Sequence, residues 1–263
     1  MSTARDTWRR PPFIANPLLR WGLYLGVAVY VVWVVATLPV DWNRISEGLT
    51  RAGRIFGGAF PPSFERSGLL IDGFLESLKI AVLATAIGVL VSIPIAFTAA
   101  RNVAPLPVFY LGRALIILAR SFHPVIVAII FVKAVGFGPF AGVLTLIVYS
   151  IGFVAKMLAE RIEEIDFGQV EAMRAAGAPY LSTLVYAIFP QIMPRQIGLT
   201  IYQLDSNLRA SAVVGIVGAG GIGSTLANAF GRYDYDFALA ITIVIVGAIL
   251  ISEGVSGQIR KRL

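Results

Sequence analysis

Apolar residues run in long unbroken blocks along this chain, and charge is pushed into the gaps between them. Stretches without Asp, Glu, Lys or Arg cover 21–40, 80–100, 134–155, 175–194 and 210–231, with a shorter one at 237–252. A helix that crosses a bilayer needs about 20 mostly apolar residues. The pattern therefore predicts spans at 21–40, 78–100, 108–132, 140–158, 195–217 and 237–255. The first is not a cleaved leader, because its apolar run is too long and no small-residue cleavage site follows it. Gly22 and Gly26 form a GxxxG spacing that lets helices approach closely.

The gaps orient the spans. Residues 1–20 carry Arg5, Arg9, Arg10 and Arg20 with Pro11, Pro12 and Pro17, so the positive-inside rule predicts a cytoplasmic tail. Residues 41–76 balance four basic against five acidic side chains, which suits an outer loop with a short interfacial helix. Arg113, Arg120 and His123 interrupt the third block, and Pro124 predicts a break there. An outer turn is predicted at 136–139 and a polar inner stretch at 156–174. Residues 175–194 lack charge but hold Gly177, Pro179, Pro190 and Pro194. That punctuation predicts short helices along the membrane and a turn at Pro190–Pro194 rather than a span. Arg260, Lys261 and Arg262 end inside, so an even number of spans is required. The expected architecture is an all-α polytopic membrane protein of about six spans. It has a tail at 1–20 and one domain over 21–263.

Composition agrees. Of 263 residues 57% are hydrophobic and only 14% charged, with mean hydropathy +0.79; a soluble domain has roughly 25% charged residues. There is no cysteine, which excludes disulfides, thiolate metal sites and a cysteine nucleophile. The net charge of +7 sits at chain and span ends, so it reflects topology rather than nucleic-acid binding. No internal repeat is present.

Four groups of residues carry candidate chemistry. Asp205, Asn207, Arg209 and Ser211 lie within a span, where polar groups are costly and face a bundle interior or a water-filled path. Asp205 and Arg209 share a helix face and can pair; Asn207 faces elsewhere. Arg120 and His123 interrupt the third block, and Arg113 sits one face-repeat earlier, near the inner interface. His123 is the single histidine and has no nearby carboxylates to complete a zinc site. The run Gly218-Ala219-Gly220-Gly221-Ile222-Gly223 matches GxGxxG but ends an apolar helix, so nucleotide binding is excluded by context. Gly218, Gly220, Gly221 and Gly223 instead predict a gate, a hinge or a tightly packed turn. Lysine occurs only at 79, 133, 156 and 261, none in a phosphate-loop context, so any ATP-driven role needs a partner.

The fourth group is 171–190. Glu171, Ala172, Gly177 and Pro190 fall in the register Glu-Ala-Ala, three residues, Gly, nine residues, Ile, one residue, Leu-Pro. Met173, Ala187 and Phe189 depart from it. The segment resembles the cytoplasmic EAA loop of ABC importer permeases. Arg120–Pro124, Val135–Gly142, Ala159–Asp166 and Asn207–Ser211 running into Gly218–Gly223 further resemble the permease subunit of phosphonate ABC importers. His123 departs from that pattern, where a small apolar residue is expected.

The resemblance implies a type I importer (MetI-like) permease fold in the bacterial inner membrane. It implies a homodimer of permease chains, two cytoplasmic ATPase subunits that bind ATP and Mg, and an external substrate-binding protein. It implies phosphonates, phosphate esters or reduced phosphorus oxyanions as cargo, with other small solutes as rivals. Glu171, Ala172, Arg174, Gly177 and Pro190, in a loop over about 159–190, are then the ATPase-coupling residues. Arg120, His123, Asp205, Asn207, Arg209 and Ser211 line the path. A membrane enzyme acting on lipid phosphates would need clustered acids, bases or histidines that the spans lack, and a passive channel would not need a coupling segment.

Overall fold

The computed structural model describes residues 14, 16–38 and 41–260, which are helical with no strand. The basic tail residues Arg5, Arg9 and Arg10 with Pro11 and Pro12, position 40, the side chain of Arg260, and Lys261 and Arg262 lie outside the described residues. The chain forms two compact units, one up to Arg54 and one from Ile55 onward.

The first unit holds α1, Pro17–Thr37, and most of α2, Trp42–Ala59. Pro17 opens α1, where its missing N–H costs nothing, and Asn16 Oδ1 accepts from the Leu18 N–H at 3.0 Å. The helix therefore starts inside the segment expected to be tail. It is apolar all round and no residue of it is buried. Its 21 residues are enough to cross a bilayer. Helix α2 is longer than the short interfacial helix expected. Trp42, Ile45, Leu49 and Phe56 recur at helical spacing, with Arg44, Glu47, Arg51 and Arg54 between them.

The second unit contains α3 (Ser67–Thr98), α4 (Leu106–Ser121), α5 (Pro124–Val135), α6 (Pro139–Glu163), α7 (Phe167–Ala175), α8 (Tyr180–Thr183), a π turn (Leu184–Ile188), α9 (Phe189–Ile216), α10 (Ile222–Gly231) and α11 (Tyr235–Arg260). The predicted break in the third block falls at Phe122–His123, and α4 and α5 bend by 89°. Among the described residues four helices, α1, α3, α6 and α11, are long and apolar enough to cross a bilayer, and the bent pair makes a fifth if counted as one span. The remaining predicted span is α9. It is 28 residues long, but polar residues dilute it, and Gln196, Gln203, Asp205, Asn207 and Ser211 are buried.

The turn expected at Pro190–Pro194 does not exist. Helix runs from Tyr180 to Ile216 through both prolines. Pro190 sits in the first turn of α9, where no donor is needed. A proline ring normally collides with the carbonyl four residues back; here that residue, Tyr186, lies in the widened π turn. The connection that the predicted spans leave at 218–236 likewise contains a helix, α10.

Helices α3 and α6 form the centre of the unit. They meet through small residues: Ala81, Ala84, Ser92 and Ala96 on α3 and Ala141, Thr145, Ser150, Ala155 and Ala159 on α6 are all buried. Small side chains let backbones approach, and dispersion replaces the hydrophobic effect as the adhesive in lipid. Their hydroxyls donate to the carbonyl four residues back, as Thr85 does to Ala81 at 2.7 Å and Ser150 to Leu146 at 2.7 Å. These hydroxyls are thereby satisfied within their own helices.

Candidate functional site

At one end of the second unit, α7 forms a projection. Asp166 caps it, its Oδ1 accepting from the Gly168 N–H at 2.9 Å. Gln191 ties this cap to α9, accepting from the Asp166 N–H at 2.9 Å. The far end closes on Gly177, whose φ is +75°. The Gly177 N–H donates to the Arg174 carbonyl at 2.9 Å and the Ala178 N–H to the Met173 carbonyl at 3.0 Å, the paired bonds of a Schellman motif. Only glycine adopts this φ without strain, yet nothing lies within 4 Å of where its Cβ would sit. Val170 is buried and Phe167 and Met173 pack against the same cluster as Leu158, Ile162 and Ile192. The other face is exposed and bears Glu171, Ala172, Arg174 and Gly177. Pro190, also exposed, stands at the start of α9 rather than on the projection.

The break between α4 and α5 makes a second feature. Arg120, His123, Tyr149 and Phe153 line a cavity of about 420 Å³ there. The His123 Nδ1 accepts from the Val125 N–H at 3.4 Å, so the histidine caps α5 and its Nε2 carries the proton in the neutral ring. Arg120 is exposed and makes no hydrogen bond or ion pair with a described residue. The amino-terminal end of α5, with its partial positive charge, opens at the same place. Guanidinium, imidazole N–H and helix end are all suited to an oxyanion. Tyr149 and Phe153 had no sequence signal beyond their spacing of four; the Tyr149 hydroxyl reaches Ser206 Oγ at 3.3 Å.

The polar residues of α9 separate by face. Asn207 is fully buried. Its amide donates to Thr85 Oγ1 at 2.8 Å and Ser150 Oγ at 2.9 Å, and its oxygen accepts from Gln203 Nε2 at 3.0 Å. Three helices are thus stitched together, and Asn207 reaches no cavity. Ser211 is also buried and donates to the Leu208 carbonyl at 2.7 Å. Asp205 pairs with Arg209 at 3.1 Å, as their spacing predicts. The Asp205 Oδ1 is buried without a partner among the described residues, while Arg209 is half-exposed. Arg113 leans on Glu163 at 2.8 Å and on the Ala99 carbonyl at 2.9 Å, closing the end of the unit beside α7.

The glycine run is tightly packed. Gly218, Gly220 and Gly221 have φ of +94°, +79° and +75°. A Cβ on Gly220 would lie 2.7 Å from the Pro139 nitrogen, and one on Gly223 would strike the Ala212 carbonyl. The Gly218 and Ala219 N–H groups donate back to the Gly215 and Val214 carbonyls at the end of α9, and the Ile222 N–H donates to Ser77 Oγ at 2.9 Å. Glu76 lines the adjoining cavity of about 520 Å³, so that cavity carries a carboxylate.

Residues 88–263 match the binding-protein-dependent transport system inner membrane component family. The chain belongs to this family. It is accordingly a multi-pass transport component and not an enzyme. The phosphate-import permease protein PhnE of Mycolicibacterium smegmatis is 44% identical over 264 residues, which cover 96% of this chain and 48% of that protein, so this chain spans about half of that relative. The phosphite transport system permease protein PtxC of Stutzerimonas stutzeri is 40% identical over 240 residues, covering 91% of this chain and 86% of that one. Inward-facing structures of the methionine ABC transporter MetNI superpose with a TM-score of 0.66 at 22% identity, over 76% of this chain and 98% of the other. That likeness shows the importer-permease fold. Met173, Ala187 and Phe189, the departures from the permease pattern, all pack on the inward apolar cluster. They leave the exposed face of α7 untouched.

Proposed function

We propose that this chain is the permease through which a phosphorus oxyanion crosses the membrane, delivered by an external binding protein and driven by a separate ATPase. The exposed face of α7 carries the reading. A short helix with small residues outward, fixed at both ends and packed on the core through Val170, suits a rigid knob that transmits force. Glu171, Ala172, Arg174 and Gly177 then contact the ATPase, Pro190 fixes the start of α9 behind them, and nucleotide and magnesium belong to that partner. The knob lies on the cytoplasmic side in this account.

The relatives named for phosphate and phosphite support a phosphorus oxyanion as cargo, and the Arg120–His123 cavity offers fitting chemistry. A broken helix whose amino-terminal end faces an anion is a recurrent transporter device. Two copies of the chain about a two-fold axis would present Arg120 and Arg209 twice. The Mycolicibacterium relative, about twice as long as the region matched, is consistent with two such units working together. The packed run Gly218–Gly223 serves as the outer closure.

Proteoliposomes holding this chain and its ATPase, with the binding protein added outside, test the reading. ATP-dependent uptake of phosphite or methylphosphonate is expected. Uptake of an amino acid with no uptake of either anion contradicts the cargo, and uphill uptake without any ATPase contradicts the mechanism.

A further inference from the structure

A second arginine-lined cavity lies farther along the stripe that holds the first. Tyr149, Phe153, Met157 and Arg161 follow one another down one side of α6. Twelve residues separate Tyr149 from Arg161, about 18 Å along the helix. Phe153 belongs to both cavities and stacks on Tyr202 at 5.3 Å, so an aromatic pair stands between them. Beyond it, Met157 and Arg161 of α6 and Arg195 and Gly198 of α9 enclose a space of about 510 Å³ with no carboxylate in its wall.

Its charges are only partly balanced: Arg161 and Arg195 also border a neighbouring cavity whose wall includes Glu160 and Glu164. Lys156 engages Glu160 at 3.5 Å, and Arg161 engages Glu164 at 3.3 Å. Arg195 has no hydrogen bond or ion pair with any described residue. The Arg161 Nε is buried and equally without a partner. A buried guanidinium N–H without an acceptor is costly, and two guanidiniums facing one cavity suit a tetrahedral oxyanion better than a single carboxylate.

We propose that this cavity is an oxyanion site for a phosphate-type group, held by Arg161 and Arg195 on the side of the aromatic pair nearer α7. The choice of a phosphorus oxyanion rests on the permease reading. Two sources share the chemistry. One is a free phosphonate or phosphate that has passed the Phe153–Tyr202 pair; the other is the headgroup of an anionic lipid, which basic clefts at helix ends also take.

The chain has no cysteine, so Met157→Cys carrying a trifluoromethyl label places a single fluorine NMR reporter at the wall of this cavity. The labelled full chain in maltoside micelles is titrated with methylphosphonate. A saturable shift is expected, with a midpoint about tenfold higher in Arg195→Gln and an intermediate one in Arg195→Lys, which keeps charge but loses the fork. Arg195 has no structural partner, so its replacement does not unbalance the fold. Lys79→Gln, an exposed cation elsewhere, controls for overall charge and should change nothing. In nanodiscs, a shift on replacing phosphatidylcholine by phosphatidylglycerol, abolished by Arg195→Gln, assigns the site to lipid headgroups if methylphosphonate has no effect. A label blind to both, or shifts that Arg195→Gln leaves intact, overturns the proposal. The readout needs neither ATPase nor uptake, so it stands apart from the test of the permease itself.

Discussion

One side of α9 is sealed and the next is open. On the sealed side Asn207 spends both amide hydrogens and its oxygen on Thr85, Ser150 and Gln203, all buried. On the open side Asp205 and Arg209 hold only each other, one carboxylate oxygen is left over, and Arg209 keeps 52% of its side chain exposed. Asn207 stands only two positions from Asp205 and from Arg209 in the same helix. Polar residues inside membranes are either glue between helices or parts of a working surface, and the hydrogen-bond accounting tells them apart.

The largest effect is expected on the sealed side. Asn207→Leu strands several buried polar atoms at once and should cost about 3 kcal/mol or more. Thermal melts in detergent should show aggregated or strongly destabilised protein; a melt like the parent's would erase the distinction between the two sides. Gly223→Ala places a methyl against the Ala212 carbonyl, on the contact between α9 and α10. Overpacking of that kind costs about 1–3 kcal/mol, measured as a lower melting temperature. Gly177→Ala meets no atom, so only the backbone is strained, at about 1–2 kcal/mol. Its signature should be loss of ATPase co-purification out of proportion to a modest fall in stability.

The smallest stability change belongs to the open side. Arg209→Gln alone leaves the Asp205 carboxylate unpaired, so the clean comparison adds Asp205→Asn. Arg209 is exposed and the buried Asp205 already lacks one partner, so exchanging the ion pair for neutral amides should leave the double variant within about 1 kcal/mol of the parent. Uptake should nonetheless be lost. A double variant that transports normally would reduce this pair to a structural detail.

Much of this was legible in the chain. The charge-free blocks predicted α1, α3, α6 and α11, because twenty apolar residues have few alternatives in water. His123-Pro124 predicted the break that opens the Arg120 cavity, and the i, i+4 spacing predicted the Asp205–Arg209 pair. Prolines misled at Pro190 and Pro194: Pro190, in a first turn behind a widened π turn, breaks nothing, no local rule announces that turn, and α9 continues through Pro194, which lies inside it. The burial of Asn207 depended on Thr85 and Ser150, which lie 122 and 57 residues away in sequence. Spacing alone does not reveal such partners. Tyr149, Phe153 and Arg195 escaped notice for the same reason: only packing turns an ordinary aromatic or a span-end arginine into the wall of a cavity.

The central claim is that the exposed face of α7 grips a separate ATPase, and a single cysteine tests it most directly in a chain that has none. Ala172→Cys, exposed, should cross-link to an ATPase co-expressed in the same membrane, whereas Val170→Cys, buried on the opposite face, should not. Labelling of Ala172→Cys by an impermeant maleimide from outside intact cells, with ATP-driven uptake undisturbed, would contradict the account.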